Sequence, residues 1–264
     1  MDYVETRPAG PLAERVSFWR LRGAAQTTAL EPVPPDGRIE LIVHLGEPFR
    51  VREEGRLVVQ PRVLVAGPGT RPVELVPGGR VDVIGVRIEA GAAPRFLGDL
   101  EALVDRVPAL DEFAPRLARE LAEELADARG DDWTVVLERR LASQLDAGDP
   151  ALECAVARVR ASHGRASVRE LAEACGLSPR QLERRFRARV GYGPKLLARI
   201  ARFQRAWELL RAAPHASGAE LAARAGYYDQ AHLVKDFRQF AGEPPRRFLA
   251  GQQREEALAG FFAG

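Results

Sequence analysis

Cysteine is scarce in this chain of 264 residues: there are two, and no C-x-x-C. That excludes a zinc ribbon and a paired redox motif of the usual spacing. Cys154 and Cys175 each sit among apolar residues at helical spacing. Reduced, packed thiols are expected, with a methyl-acceptor or redox-sensing role as the alternative. Histidine numbers four, and His44 is the only one in the first 110 residues. A metal centre of clustered histidine and acidic ligands therefore has no material there, and no metal or cofactor is expected. G-x-S-x-G, the P-loop and H-E-x-x-H are all missing, so the chain is not expected to be an enzyme. No apolar run approaches the ~18 residues that cross a bilayer, so no membrane partner is expected. The opening MDYVETRPAG has neither the basic nor the apolar region of a secretory signal, and a cytoplasmic location is the expectation. What is present in quantity is hydrophobic side chain, 46%, enough to bury a core in one large domain or two ordinary ones.

Net charge is also small, +2, but it is unevenly spread. Residues 1–110 carry 14 basic against 15 acidic side chains, 111–150 carry 5 against 11, and 151–264 carry 20 against 11. A neutral front, an acidic middle and a basic tail suggest that the tail meets a polyanion. Solvated Arg-rich helices are the plainer reading of the same numbers.

The first ~90 residues read as strands. RIELIVHL (38–45), FRVREE (49–54), RLVVQ (56–60), RVLVAG (62–67), PVELVP (72–77) and VDVIGVRIE (81–89) are rich in Val, Ile and Leu and are separated by Gly and Pro turns. This spacing argues for a β-sandwich or small barrel. RVSFWRL (15–21) alternates and reads as an outer strand, and a short helix is expected around APRFL within 92–106. From Asp111 the period becomes helical. Leu117, Leu121 and Leu125 recur every four residues up to Gly130, followed by Val136, Leu137, Leu141 and Leu145. This acidic pair reads as a connector or subunit contact, or as a bundle packed on its own neighbours. Gly148 and Pro150 mark the next break.

The last third contains one unit twice. SVRELAEACGLSPRQLERRFRARVGYGP (167–194) is matched by SGAELAARAGYYDQAHLVKDFRQFAGEPP (217–245). Ser167, Glu170 and Gly176 align with Ser217, Glu220 and Gly226 at an offset of 50; Leu182, Phe186, Gly191 and Pro194 align with Leu233, Phe237, Gly242 and Pro245 at 51. One residue is thus inserted in the second turn. Each Ser-x-x-Glu predicts a capping box. Ser178 with Pro179 and Gln181 predicts another, and Asp229 is the natural cap of the last unit. Helix, glycine turn, helix is the helix-turn-helix pattern, whose second helix enters a major groove. Between the copies, PKLLARIARFQRAWELLRAA (194–213) predicts one long helix. At 1.5 Å per residue it would hold the units roughly 27–30 Å apart, near the turn of B-DNA at about 34 Å.

On these residues, about 150–250, the chain resembles the DNA-binding domain of AraC/XylS-type transcription regulators, with GYYDQAHLVKDFRQFAGEPPRRF as the closing pattern. Through VPPDGRIELIVHLGEPF the front half resembles, less specifically, the cupin-like β-domains of those regulators, which bind an effector or make dimers. The resemblance implies an α+β chain of two domains: a cupin-like β-barrel or sandwich for sensing or dimerisation (1–110), an acidic helical connector (111–149), and an all-α domain of two helix-turn-helix units joined by a long helix (150–252), with a tail (253–264). It implies double-stranded DNA as partner, a small-molecule effector, a homodimer and contact with RNA polymerase. An architectural DNA-binding protein without ligand is the rival reading, and an enzyme using the β-domain is a further one.

In the first recognition helix Leu182, Phe186 and Val190 form the buried stripe, leaving Arg180, Glu183, Arg184 and Arg187 on the other face. Arg180 and Arg184 are the candidates for base edges, because a guanidinium fork matches guanine O6 and N7. The resemblance also places Arg180, Glu183 and Arg184 at base-facing positions. Glu183 either accepts from cytosine N4 or orients a neighbouring arginine. Arg185, Arg187 and Arg189 read as phosphate contacts or solvated charges. In the second helix the matching face holds Gln230, Ala231, His232, Val234, Lys235 and Arg238. Ala231 and Val234 suit close approach and thymine methyl groups, and Gln230 can pair with adenine. Tyr227 is implied to pack at the turn, with Tyr228 free for a phosphate. Arg199, Arg202 and Arg205 read as phosphate contacts or a solvated face. For an effector pocket, Arg38, Glu40 and His44 share one strand parity, which fits a solvent face as well, and Trp19 is a fourth candidate, with plain core the preferred reading for it.

Overall fold

The computed structural model describes residues 1–25, 29–144 and 148–254. Leu145 and the tail from residue 255 lie outside them. The front of the chain forms nine strands among the described residues: β1 (Asp2–Thr6), β2 (Val16–Ala24), β3 (Glu31–Val33), β4 (Ile39–His44), β5 (Arg50–Glu53), β6 (Arg56–Val59), β7 (Val63–Ala66), β8 (Val73–Val76) and β9 (Arg80–Ile88). They make two antiparallel sheets, ordered β1-β2-β9-β4-β7 and β3-β8-β5-β6. RVSFWRL is therefore not an outer strand. β2 pairs on both sides, and β1 takes the edge. Around APRFL the chain makes only single 3-10 turns, Arg95–Leu97 and Glu101–Leu103.

Alternation decides which way each side chain faces. Ile39, Leu41 and Val43 of β4, with Ile84, Val86 and Ile88 of β9, belong to one core cluster. Ile42, with Val81, Val83 and Trp19, belongs to another that reaches Phe49, Val51 and Leu75 of the second sheet. The five-stranded sheet is thus buried on both faces. Trp19 is opposite Gly85 in register, and a Cβ at Gly85 would lie 2.1 Å from the indole ring. Only glycine lets that tryptophan lie flat on the neighbouring strand.

The other face is covered by α1 (Pro115–Asp127) and α2 (Asp132–Leu141). Leu117, Leu121, Leu125, Trp133, Leu137 and Leu141 share the cluster of Ile39 and Phe18. The acidic pair is therefore a layer of the front domain rather than a free connector. Each such fully buried side chain contributes about 1.5–3 kcal/mol relative to exposure. On the outer side, Arg140 pairs with Glu120 (2.7 Å) and Glu124, so the acidic excess is partly spent within the hairpin.

The rest is helical: α3 (Pro150–Ala161), α4 (Val168–Ala174), α5 (Pro179–Val190), α6 (Pro194–Ala212), α7 (Gly218–Ala225), α8 (Gln230–Ala241) and α9 (Pro245–Arg254). One core unites them, with Leu182, Phe186, Ile200, Phe203, Leu233 and Phe237 all at 0% exposure. Ser167 with Glu170, and Ser178 with Gln181, form full capping boxes. In the second copy Ser217 caps Glu220 N at 3.1 Å, but the Glu220 carboxylate turns to Arg224 instead. Asp229 caps His232 N at 2.8 Å. Gly176 and Gly226 both have left-handed φ, +67° and +84°, and so reverse the chain where L side chains are strained.

Candidate nucleic-acid interface and effector cavity

Two helices carry the candidate DNA-reading side chains. On α5 the cap at Ser178 starts the helix and the buried stripe Leu182, Phe186 and Val190 fixes its rotation. Arg180, Arg184 and Arg187 are left exposed, with Glu183 half-buried. On α8, Leu233, Phe237 and Phe240 are buried, and Gln230, Ala231, Lys235 and Arg238 are exposed. His232 is half-buried, its ring edge-on to Tyr227 at 5.1 Å, and Val234 is half-buried as well. The Gln230 amide leans over Gly218, at the start of α7. Tyr227 is buried against the guanidinium of Arg202, and burial, with the charge of Asp236 nearby, raises the pKa of its phenol. Tyr228 is 93% exposed.

The C-terminal ends of both helices rest on the front domain. Gly191, at the end of α5, lies against the carbonyl of Leu100. Arg187 Nη1 is 3.1 Å from Glu101 Oε1 and its Nη2 is 3.6 Å from Glu183. Beyond α8, Gly242 lies against Pro72, and Gln239 Nε2 donates to the Thr70 carbonyl at 3.4 Å. On α6, Gln204 donates to the Pro35 carbonyl at 2.7 Å. In α5 the first turns, where base-contacting residues of a recognition helix sit, carry Arg180 and Arg184, which are exposed and make no ion pair among the described residues.

Several arginines read as phosphate contacts or solvated charges have partners within the protein, and Arg205 keeps to a solvated face. Arg185 binds Asp149 with two contacts, 2.6 and 2.8 Å. Arg199 Nη2 lies 2.6 Å from Asp236 Oδ1 and 2.6 Å from Gln239 Oε1, and Asp236 is wholly buried. Arg202 donates to the Gly164 carbonyl, and Arg205 pairs with Glu208 at 3.0 Å. Sequence could not show these pairs, because Asp236 occupies a helix position that also fits a solvated charge.

The contact of Arg187 has a measurable consequence. Both side chains of the pair with Glu101 are about half exposed, 55% and 56%, so solvent screens them and the pair is worth about 0.2–1 kcal/mol. Glu101→Gln is expected to release Arg187 for phosphate and tighten DNA binding about 1.5–5-fold. Titration of one duplex against both proteins checks this, and unchanged affinity would show that the pair does not compete with DNA.

The effector candidates do not converge on one place. Between the sheets lies a largely apolar cavity of about 60 Å³, walled by Ile42, Phe49, Leu75 and Val83, with Glu40, His44 and Gln60 as polar groups. Glu40 also borders a second space of about 90 Å³ that reaches Arg38, Arg87 and Gln204. Arg38 is not in the cavity; it pairs with Glu89 (2.8 Å) and Asp36 (3.1 Å) beside the helical domain, where Arg160 also reaches Glu89. Trp19 lines neither space and is packed core. Gln60, outside the sequence candidates, is placed by the β6–β7 turn and meets His44 Nε2 at 3.2 Å.

Glu40 is bound by Arg87 at 2.8 Å, yet burial outweighs that charge and raises its pKa. Burial lowers His44 to about 4, against the hydrogen bond to Gln60 and with help from Arg62. Its Nδ1 is buried without a hydrogen-bond partner among the described residues. A histidine neutral in the fold but near 6.5 when unfolded binds its proton first in the unfolded chain. Its stability contribution is full above pH 6.5 and is lost as pH falls toward 4, a change on the order of 3 kcal/mol. Melting temperatures between pH 7 and 4.5 should therefore fall more steeply for the parent than for His44→Gln. Parallel curves would remove His44 as the cause.

Residues 171–251 match the family model described as a helix-turn-helix domain, and residues 4–107 match the one described as a domain of unknown function (DUF6597). Among solved structures, ToxT from Vibrio cholerae is 9% identical over 89% of this chain and 98% of its own, with a TM-score of 0.47. Unsaturated fatty acid bound ToxT from Vibrio cholerae strain SCE256 is 12% identical over 89% and 94%, with a TM-score of 0.46. The C-terminal domain of AraT, a response regulator from Geobacillus stearothermophilus, is 23% identical over 39% and 86%, with a TM-score of 0.37. A search of curated proteins finds no match.

Proposed function

From a chain that ends in an AraC-type helix-turn-helix domain behind an N-terminal β domain, we infer a sequence-specific transcription regulator whose β domain takes a small-molecule effector. The observation that carries the reading is the duplicated unit itself. Two capped helices, α5 and α8, stand on one shared core with their non-core faces exposed, and α6, 19 residues or about 28 Å long, joins their units. Arg180 and Arg184 supply forked donors for guanine, while Ala231 and Val234 supply small apolar contacts beside Lys235 and Arg238. An effector in the β domain would use the cavity at His44, where among the described residues an unpartnered ring nitrogen and a buried carboxylate offer polar contacts in an apolar wall; at about 60 Å³ that space has to widen to reach the roughly 300 Å³ of a ligand pocket. Because both recognition helices end against the β domain, an effector that binds one arrangement of the domains better than another would shift DNA affinity.

Selection of bound sequences from random duplex DNA, with and without candidate small molecules, tests the reading. An enriched motif is expected. Binding with a steep salt dependence but no enriched motif would favour an architectural protein instead.

A further inference from the structure

The two cysteines are separated by twenty residues of sequence, yet Cys175 Sγ lies 2.7 Å from Cys154 Sγ. Cys154 is on the first turn and a half of α3, and Cys175 closes α4 just before the turn that leads into α5. Both are unbridged and half-exposed, so small solutes reach them. The two thiols are free and partly buried, in line with the expected reduced, packed state, but packing also brings together two groups that the spacing kept apart. We propose that Cys154 and Cys175 form a reversible disulfide that staples α3 to the turn of the first helix-turn-helix unit, with a hydroperoxide as oxidant.

The surroundings divide the roles. A hydrogen bond from the Cys175 thiol, aided by Arg158 one turn along α3, holds the Cys154 thiol below its usual pKa. Burial, with the hydrogen bond and charge of Cys154, pushes Cys175 up to about 11. The thiolate is the nucleophile, so Cys154 attacks first. Its sulfur bonds to one peroxide oxygen, the O–O bond breaks, and hydroxide leaves to take up a proton, giving a sulfenic acid. Cys175 Sγ then attacks the sulfenic sulfur. The S–O bond breaks, and the departing oxygen leaves as water with the proton given up by Cys175. Two thiols lose two electrons, and one hydrogen peroxide becomes two waters. A disulfide needs a separation of about 2.05 Å, so the sulfurs close by only about 0.7 Å and α5 keeps its place on the core.

The test uses the full chain, treated with hydrogen peroxide or with dithiothreitol. Oxidation should remove both free thiols, lower the intact mass by two hydrogens and leave the protein unlinked between chains. Closing a ring of on the order of 20 residues should raise the melting temperature by roughly 5–10 °C. Cys154→Ser and Cys175→Ser should each abolish that rise while melting like the reduced parent. A sulfenic-acid trap should label Cys154 in the Cys175→Ser protein and leave Cys175 unlabelled in the Cys154→Ser protein. Oxygen adducts in the parent without loss of both thiols, or cross-linked dimers, would overturn the staple. Equal labelling of the two variants would overturn the assigned order of attack.

Discussion

Arg199→Ala is expected to lower the stability of the helical domain by about 3–5 kcal/mol, because it strands the carboxylate of Asp236 in the core. Asp236 has 0% exposure, and its charge is met by the guanidinium of Arg199 at 2.6 Å. A buried ion pair adds little over an apolar pair of the same shape, but removing one partner leaves the other charge uncompensated. For a chain of this size the loss corresponds to a fall in melting temperature of order 10 °C. The double change Arg199→Met with Asp236→Leu removes both charges and should recover most of it. Were Arg199 a phosphate contact, its loss would instead leave the melting temperature unmoved and shallow the salt dependence of DNA binding. Thermal melts and salt titrations of the single variant separate the two outcomes.

Arg184→Ala should weaken binding to the preferred sequence by about 1–3 kcal/mol, roughly 5–150-fold, and relax preference at one base pair. Arg184 lies on the exposed face of α5, opposite Leu182 and Phe186, and its removal leaves that core intact. Arg187→Ala should cost much less, and equally on all sequences, since Arg187 already spends part of its charge on Glu101 and Glu183. Repeating the random-sequence selection with each variant decides the matter. A motif from the Arg184→Ala protein identical to the parent's would show that α5 presents another face to DNA.

The strands from β4 to β9 were legible because they are rich in Val, Ile and Leu and glycine or proline turns bound them. β1 and β3 were not: DYVET is mostly exposed, and EPV is three residues long with a proline. Neither carries the period-two signal; β1 is held by strand pairing and by Tyr3 on Trp19 and Glu5 on Arg87, partners the sequence does not name. The acidic helices were legible as helices, but not as a layer of the β domain. Their leucine stripe says that one face is buried, without saying against what.

The same limit runs through the functional residues. Glu40 and His44 share a strand face by parity, and both border the inter-sheet cavity; Arg38 has the same parity, but it lies just before β4 and its long side chain turns to Asp36 and Glu89. By itself the sequence determined what depends on near neighbours: strand alternation, the helix caps at Ser167, Ser178 and Asp229, the stripe of each recognition helix, and the doubled spacing that identifies the unit. Only the tertiary structure decided which charges are paired and which sulfurs meet. Those contacts, Arg199 with Asp236, Arg187 with Glu101 and Cys154 with Cys175, span 37, 86 and 21 residues. No local period encodes a partner that far along the chain, because its position is set by the packing of every element between.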